Sequence, residues 1–167
     1  MKKIGILLIA LLLMSEGLIG GCLQRPQQAV EKPVVEKHSE FVNWSEEKFN
    51  EMANQIQYFY EIVKTGNWSN VLYHVSLIQD TIDNYTKQAN DFTLDDGVLD
   101  SARNEYIGWL NELKLAYERW ESAAENFIAG DTETGTSQAQ VAQILMEATK
   151  TYVDNYKQDI SAWRNEG

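Results

Sequence analysis

The chain has 167 residues, 25 Asp and Glu against 14 Lys and Arg, and a formal net charge of −11. That charge excludes a typical nucleic-acid binder, which needs basic surface to replace counterions. The single Cys excludes an intramolecular disulfide framework and any Cys-rich zinc or iron–sulfur site.

Read from the N-terminus, Lys2 and Lys3 form a short positive region, Ile4 to Met14 is apolar, and Gly20 and Gly21 precede Cys22. This is the charge, apolar core and small-residue layout of a secretory signal. The apolar run is shorter than the roughly 20 residues a membrane span needs, and Glu16 closes it. Ile19-Gly20-Gly21-Cys22 resembles the lipobox of prokaryotic lipoproteins, although Gly20 is a less usual occupant of its slot than Ala or Ser. The resemblance covers about the first 22 residues. It implies cleavage before Cys22, diacylation of Cys22, export across the cytoplasmic membrane and anchoring to the outer side of a membrane. Two acyl chains hold a protein on a bilayer stably where one does not. The expected signal is residues 1–21, and the remaining chain carries −12.

Residues 22–43 contain both prolines, Pro26 and Pro33, with several Gln and few repeating apolar positions. They read as a lipidated Cys and a flexible tether spanning about 25 Å as coil. Val34, His38, Phe41 and Val42 nevertheless fall at helical spacing, and Pro33 suits the first position of a helix.

From residue 44 onward there is no proline, and apolar residues recur every three or four positions. The expected fold of residues 44–167 is all-α, an antiparallel up-down-up-down four-helix bundle. Helix 1 carries Phe49, Met52, Ile56, Phe59 and Val63, with Ser45 as N-cap, a Trp44–Phe49 staple and Gly66 as stop. Helix 2 opens at Asn67-Trp68-Ser69, with Ser69 as N-cap and Trp68 expected to staple on Tyr73. Its heptad is unbroken: Val71, Val75, Ile78, Ile82, Tyr85, Ala89 and Phe92. Helix 3 is expected over about Leu94–Ala129, capped by Thr93 and ended by Gly130. Its stripe is Leu99, Ala102, Tyr106, Trp109, Leu113, Ala116, Trp120, Ala123 and Phe127. Helix 4 is expected over about Ser137–Arg164, with Val141, Leu145, Ala148, Tyr152, Tyr156, Ile160 and Trp163 as its seam. Short connections force antiparallel neighbours; a helical hairpin that dimerises is the alternative. Helix 3 would be about 54 Å long against about 30 Å for helix 1. Helix 1 starting near Pro33, a bend at Gly108, or an end left bare for a partner would each resolve the mismatch.

The chemistry-bearing residues are sparse. No Glu has a His three residues on, and His38 and His74 stand alone, so neither a bundle metal site nor a catalytic or metal-binding constellation is expected. Counted from Asp131, an EF-hand loop would need Gly at position six and Glu at twelve; Thr136 and Ala142 stand there, so residues 131–136 read as an acidic turn. There is no G-x-S-x-G nucleophile elbow. Asn43-Trp44-Ser45, Asn67-Trp68-Ser69 and Asn84-Tyr85-Thr86 match the glycosylation pattern. The aromatics are the strongest feature: Tyr60, Tyr106, Trp109, Tyr117 and Trp120 are core fillers or the lining of a ligand crevice between helices. No enzyme activity, cofactor or nucleic acid is expected. The expected role is that of a lipid-anchored extracytoplasmic module at the cell envelope, non-catalytic, engaging a protein partner or serving structurally. The alternative is a small-ligand-binding or sensory bundle.

Overall fold

The computed structural model describes residues 34–166. The expected signal, Cys22 and the first part of the tether lie outside them. Four helices account for nearly all of the described chain: α1 Val34–Thr65, α2 Trp68–Asp91, α3 Gly97–Ala129 and α4 Thr132–Glu166. They form an all-α, antiparallel four-helix bundle, with two-residue turns at Gly66-Asn67 and Gly130-Asp131.

The helix lengths of 32, 24, 33 and 35 residues remove the expected mismatch. At 1.5 Å per residue they span about 48, 36, 50 and 52 Å. The compensation comes from the stretch read as tether. Val34 to Asn43 is helical, and Phe41 and Val42 are buried, so the boundary expected before residue 44 falls inside α1. Ser45 is therefore not a cap. It is fully buried in mid-helix, at the core position that follows His38 and Val42 in a 4-3 repeat. His38 is likewise a buried residue of α1 rather than part of a tether, and its Nε2 meets Asp95 Oδ1 at 2.5 Å.

Both expected glycine stops hold. Gly66 and Gly130 adopt φ of 69° and 84°, a left-handed conformation that spares glycine the clash a Cβ would bring. Three starts differ. Asn67, not Ser69, caps α2 by accepting from the Asn70 amide at 3.1 Å. Asp96, not Thr93, caps α3 by accepting from the amides of Val98 and Leu99. The carboxylate of Asp131 accepts from the Thr134 amide at 3.0 Å, which starts α4 five residues early. The acidic turn is thus mostly the first turn of a helix, and hydrogen bonds from Thr134 hold the Asp131 carboxyl below its usual range.

All six residues buried within α2 are members of the predicted heptad. In α4 the seam is rotated. Val141 is exposed and Ala148 faces solvent, whereas Ala142, Thr149, Tyr156 and Ile160 are buried. The residues turned inward are Ala142, Met146, Thr149, Val153, Tyr156, Ile160 and Trp163, an unbroken 4-3 repeat that removes the expected irregularity at Tyr152–Tyr156. The reason is steric. The backbones of α3 and α4 approach more closely than those of the other neighbouring pairs, and the small Ala142 rather than Val141 is turned inward. A Cβ on Gly108 of α3 would collide with the ring of Tyr152, and one on Gly135 of α4 would sit 3.0 Å from Phe127. Gly108 is thus a seat for Tyr152 within a continuous α3. Trp68 does not staple on Tyr73; it stacks on Phe127 with ring centroids 4.0 Å apart and closes the Gly66/Gly130 end.

We expect Gly108→Ala to lower the melting temperature despite a helix-propensity gain of about 1 kcal/mol. In a Tyr152→Ala background the same change should raise it. Thermal unfolding of the four proteins of this cycle checks the sign reversal.

Candidate functional site

The five aromatic residues singled out in the sequence do not line one crevice. Trp109 and Trp120 are eleven residues apart on α3, about 16 Å along the helix axis. Tyr106 and Trp109 belong to one aromatic layer, and Tyr117, Trp120 and Tyr60 to another. Four of the five are at most 2% exposed, and Tyr60 is partly buried.

The layer nearer the chain's first described residue is built around Phe49 of α1. Its ring centroid lies 4.2 Å from Trp109, 4.9 Å from Tyr106 and 4.8 Å from Tyr156 of α4. Trp44 packs edge-on against Tyr85 and Tyr106 and donates its indole N–H to Gln88 of α2 at 2.9 Å. Polar atoms are threaded through this layer. The Ser45 hydroxyl donates to the Val42 carbonyl and shares a 2.6 Å hydrogen bond with the Tyr156 hydroxyl. The Tyr85 hydroxyl donates to Glu51, which also pairs with Lys48 at 2.8 Å. These bonds from Lys48 and Tyr85 hold the Glu51 carboxyl below its ordinary range. The Tyr106 hydroxyl is buried and has no hydrogen-bond partner.

The second layer is built around Phe59. Its centroid lies 5.1 Å from Tyr117 and 5.5 Å from Trp120, and Tyr60 lies 6.3 Å from Trp120. Here three buried polar atoms have no partner: the hydroxyls of Tyr60 and Tyr117, and Nε1 of Trp120. A buried donor left unpaired costs about 1–3 kcal/mol, so three in one layer are a local sacrifice of stability. Burial pushes the phenols of Tyr106, Tyr117 and Tyr156 well up, and those of Tyr60 and Tyr85 to about 12. All five are neutral hydroxyls near neutral pH.

Ser45, Glu51 and Tyr85 carry the polar part of the first layer, and the sequence reading passed over them as site residues. The available signal was Ser45 standing four residues before Phe49 and three after Val42, in register with the core. His74 lies between Tyr58 and Tyr73 at 5.3 and 5.2 Å on the α1–α2 face, away from the seam. Among the described residues no group of three or more His, Cys, Asp or Glu is placed to hold a metal ion, and no helix is long and apolar enough to cross a membrane. The carboxylates Glu121 and Glu125 are exposed.

Two outcomes follow. Ser45→Ala should cost about 1–3 kcal/mol by orphaning the Tyr156 hydroxyl, and adding Tyr156→Phe should recover part of the loss in denaturant unfolding. Stability should also fall as pH rises above about 10. The unfolded chain then releases phenolic protons near the ordinary tyrosine value, while the folded chain retains them to about 12 or beyond at these five positions. Melting temperatures measured from pH 8 to pH 12 check the direction. No protein-family model, curated protein or solved structure matches this chain.

Proposed function

We propose that this protein is a lipid-anchored extracytoplasmic helical bundle that acts as a non-catalytic interaction or structural module at the cell envelope. The observation that carries the reading is Ile19-Gly20-Gly21-Cys22, with its only Cys at the end of an apolar run preceded by Lys2 and Lys3.

The fold gives this reading a direction. The bundle's first described residue, Val34, begins α1 at the end that also holds the α2–α3 connection and the close of α4. Eleven residues, Leu23 to Pro33, separate it from Cys22. Even fully extended they reach only about 38 Å, less than the length of α1. The His38–Asp95 pair ties the start of α1 to the α2–α3 connection, so this end is braced where a tether would pull on it. The opposite end, at Gly66 and Gly130, would face away from the bilayer. The exposed large hydrophobics among the described residues all lie beyond the helix midpoints toward that end; Tyr58, Tyr73, Ile128 and Ile144 are each more than half exposed. Scattered apolar side chains on a monomer are ordinary, but their confinement to one half favours a partner there.

One observation favours the second reading, a small-ligand-binding or sensory bundle. The unpartnered donors beside Trp120 are the kind of polar group a ligand crevice between helices would present.

The anchoring is tested by Cys22→Ser. We expect the wild type to sediment with membranes, partition into detergent and incorporate labelled fatty acid. The variant should appear in the soluble fraction and carry no label. Equal membrane association of the two proteins would overturn the anchor, and with it the orientation of the bundle.

A further inference from the structure

We infer that the outer face of α4 beside α3 is a docking seam for an amphipathic helix of a partner protein, apolar along its own seam and carrying Lys or Arg on both flanks in two successive heptads. The inference rests on the interaction reading above and deepens it by naming the surface and the partner's chemistry.

Helix α4 carries two heptad-spaced lines, and only one is spent on the bundle core. The other runs through Ser137, Val141, Ile144, Ala148, Thr151 and Asn155. Its spacing is 4-3-4-3-4, and every member is exposed. This is the spacing at which one helix packs along another. None of the six is charged, although 23% of the chain is, so the line is not an ordinary solvated face. Its apolar members lie together, with Val141 38% and Ile144 64% exposed.

The rims of this line are charged in a definite pattern. Asn155 donates to Glu105 of α3 at 3.3 Å, and the Tyr152 ring lies against the Cα of Gly108. That contact fixes the register of the two antiparallel helices. One heptad along each sets Ala148 beside Glu112, and a second sets Val141 beside Arg119. The Phe127–Gly135 contact shows that the register persists toward the turn. On the opposite rim, Glu147 and Asp154 directly precede Ala148 and Asn155. This rim is turned toward α1, where the Tyr60 phenol feels the Glu147 charge. Carboxylates therefore straddle the seam at two levels about 10 Å apart: Glu112 with Glu147, and Glu105 with Asp154. At the third level Arg119 faces the neutral Gln140. A helix lying along the seam presents its two flanking positions at the same heptad spacing. Lys or Arg there meets an acid on each side, and an apolar partner seam covers Val141, Ile144 and Ala148. A second copy of this chain would bring Glu147 and Asp154 onto a rim that is already acidic.

The test uses the full chain in neutral detergent micelles and two synthetic helices of about three heptads with Leu at the seam positions. One carries Lys at both flanking positions of each heptad, the other Glu. The readout is the methyl signal of Ile144 in a carbon-13 labelled sample, assigned through Ile144→Val. The signal of Ile128, which is 52% exposed near the end of α3, is the control for non-specific adhesion. We expect the Lys peptide to move the Ile144 signal saturably, at one peptide per chain, and to leave Ile128 in place. The Glu peptide should move neither. Thr151→Lys, at an exposed position, should weaken the Lys-peptide response at least tenfold. Glu112→Lys combined with Glu147→Lys should reverse the preference, so that the Glu peptide binds and the Lys peptide does not. A Lys-peptide response that survives Thr151→Lys, or that moves Ile128 as far as Ile144, would assign binding to the general acidity of the chain and overturn the seam. Equal responses to the two peptides would overturn the role of the rims. No response to either peptide, with a sedimenting dimer that Thr151→Lys dissociates, would give the seam to a second copy and overturn the proposed partner. No response from a chain that sediments as a monomer would overturn the docking surface altogether. Membrane association is read separately through Cys22→Ser, so each of these failures is distinguishable from failure of the anchored-module reading.

Discussion

The close approach of α3 and α4 is the constraint on which the rest of the bundle depends. It requires Gly108 and Gly135 where the two helices carry Tyr152 and Phe127 against each other, and it turns Ala142 rather than Val141 inward. Helices packed over small residues leave little volume between their axes. The bulk of the core must then lie on the other side of α3, and there α1 meets it. Phe49 packs on Tyr106 and Trp109, and Phe59 on Tyr117 and Trp120. One close interface and one thick aromatic one are therefore complementary consequences of a single packing choice.

That choice explains the polar chemistry inside the protein. Tyrosine and tryptophan fill volume well, but each brings a polar atom that needs a partner when buried. In the layer around Phe49 most of those atoms are answered by Ser45, Glu51 and Gln88. In the layer around Phe59 they are not. The two aromatic layers thus differ: in the first most buried polar atoms are paired, Tyr106 excepted, and in the second the Tyr60 and Tyr117 hydroxyls and Trp120 Nε1 are not. The four-helix architecture itself carries little functional information, because the fold hosts many unrelated roles.

The ends of the bundle are also unlike. At one, His38, Asp95, Asp96, Asp100 and Arg103 knit the α2–α3 connection; Arg103 donates to the Phe92 carbonyl and pairs with Asp100. At the other, two tight glycine turns and the Trp68–Phe127 stack close the core with few charged contacts. The polar, braced end is the one joined to the N-terminal segment.

The sequence by itself determined the helices, their antiparallel order and the inward face of α2. Periodicity of three and four reports which side of a helix can be dry, and in α2 the predicted heptad contains every residue that is buried. Glycine at Gly66 and Gly130 marked the turns because only a residue without Cβ takes their left-handed backbone freely. The tertiary structure decided between a tether and a helix start near Pro33, and it alone decided the rotation of α4 and the division of the aromatics into two layers. Val34, His38, Phe41 and Val42 fall at helical spacing beside a stretch composed like a tether, and the helical state comes with the burial of Phe41 and Val42. In α4 Val141 advertised the wrong face: it is exposed, and Ala142, which hydrophobicity ranks lower, turns inward. Whether a buried hydroxyl is answered depends on which residue of another helix stands opposite it. Ser45 meets Tyr156 across 111 positions of chain, and no local pattern in either segment encodes that meeting.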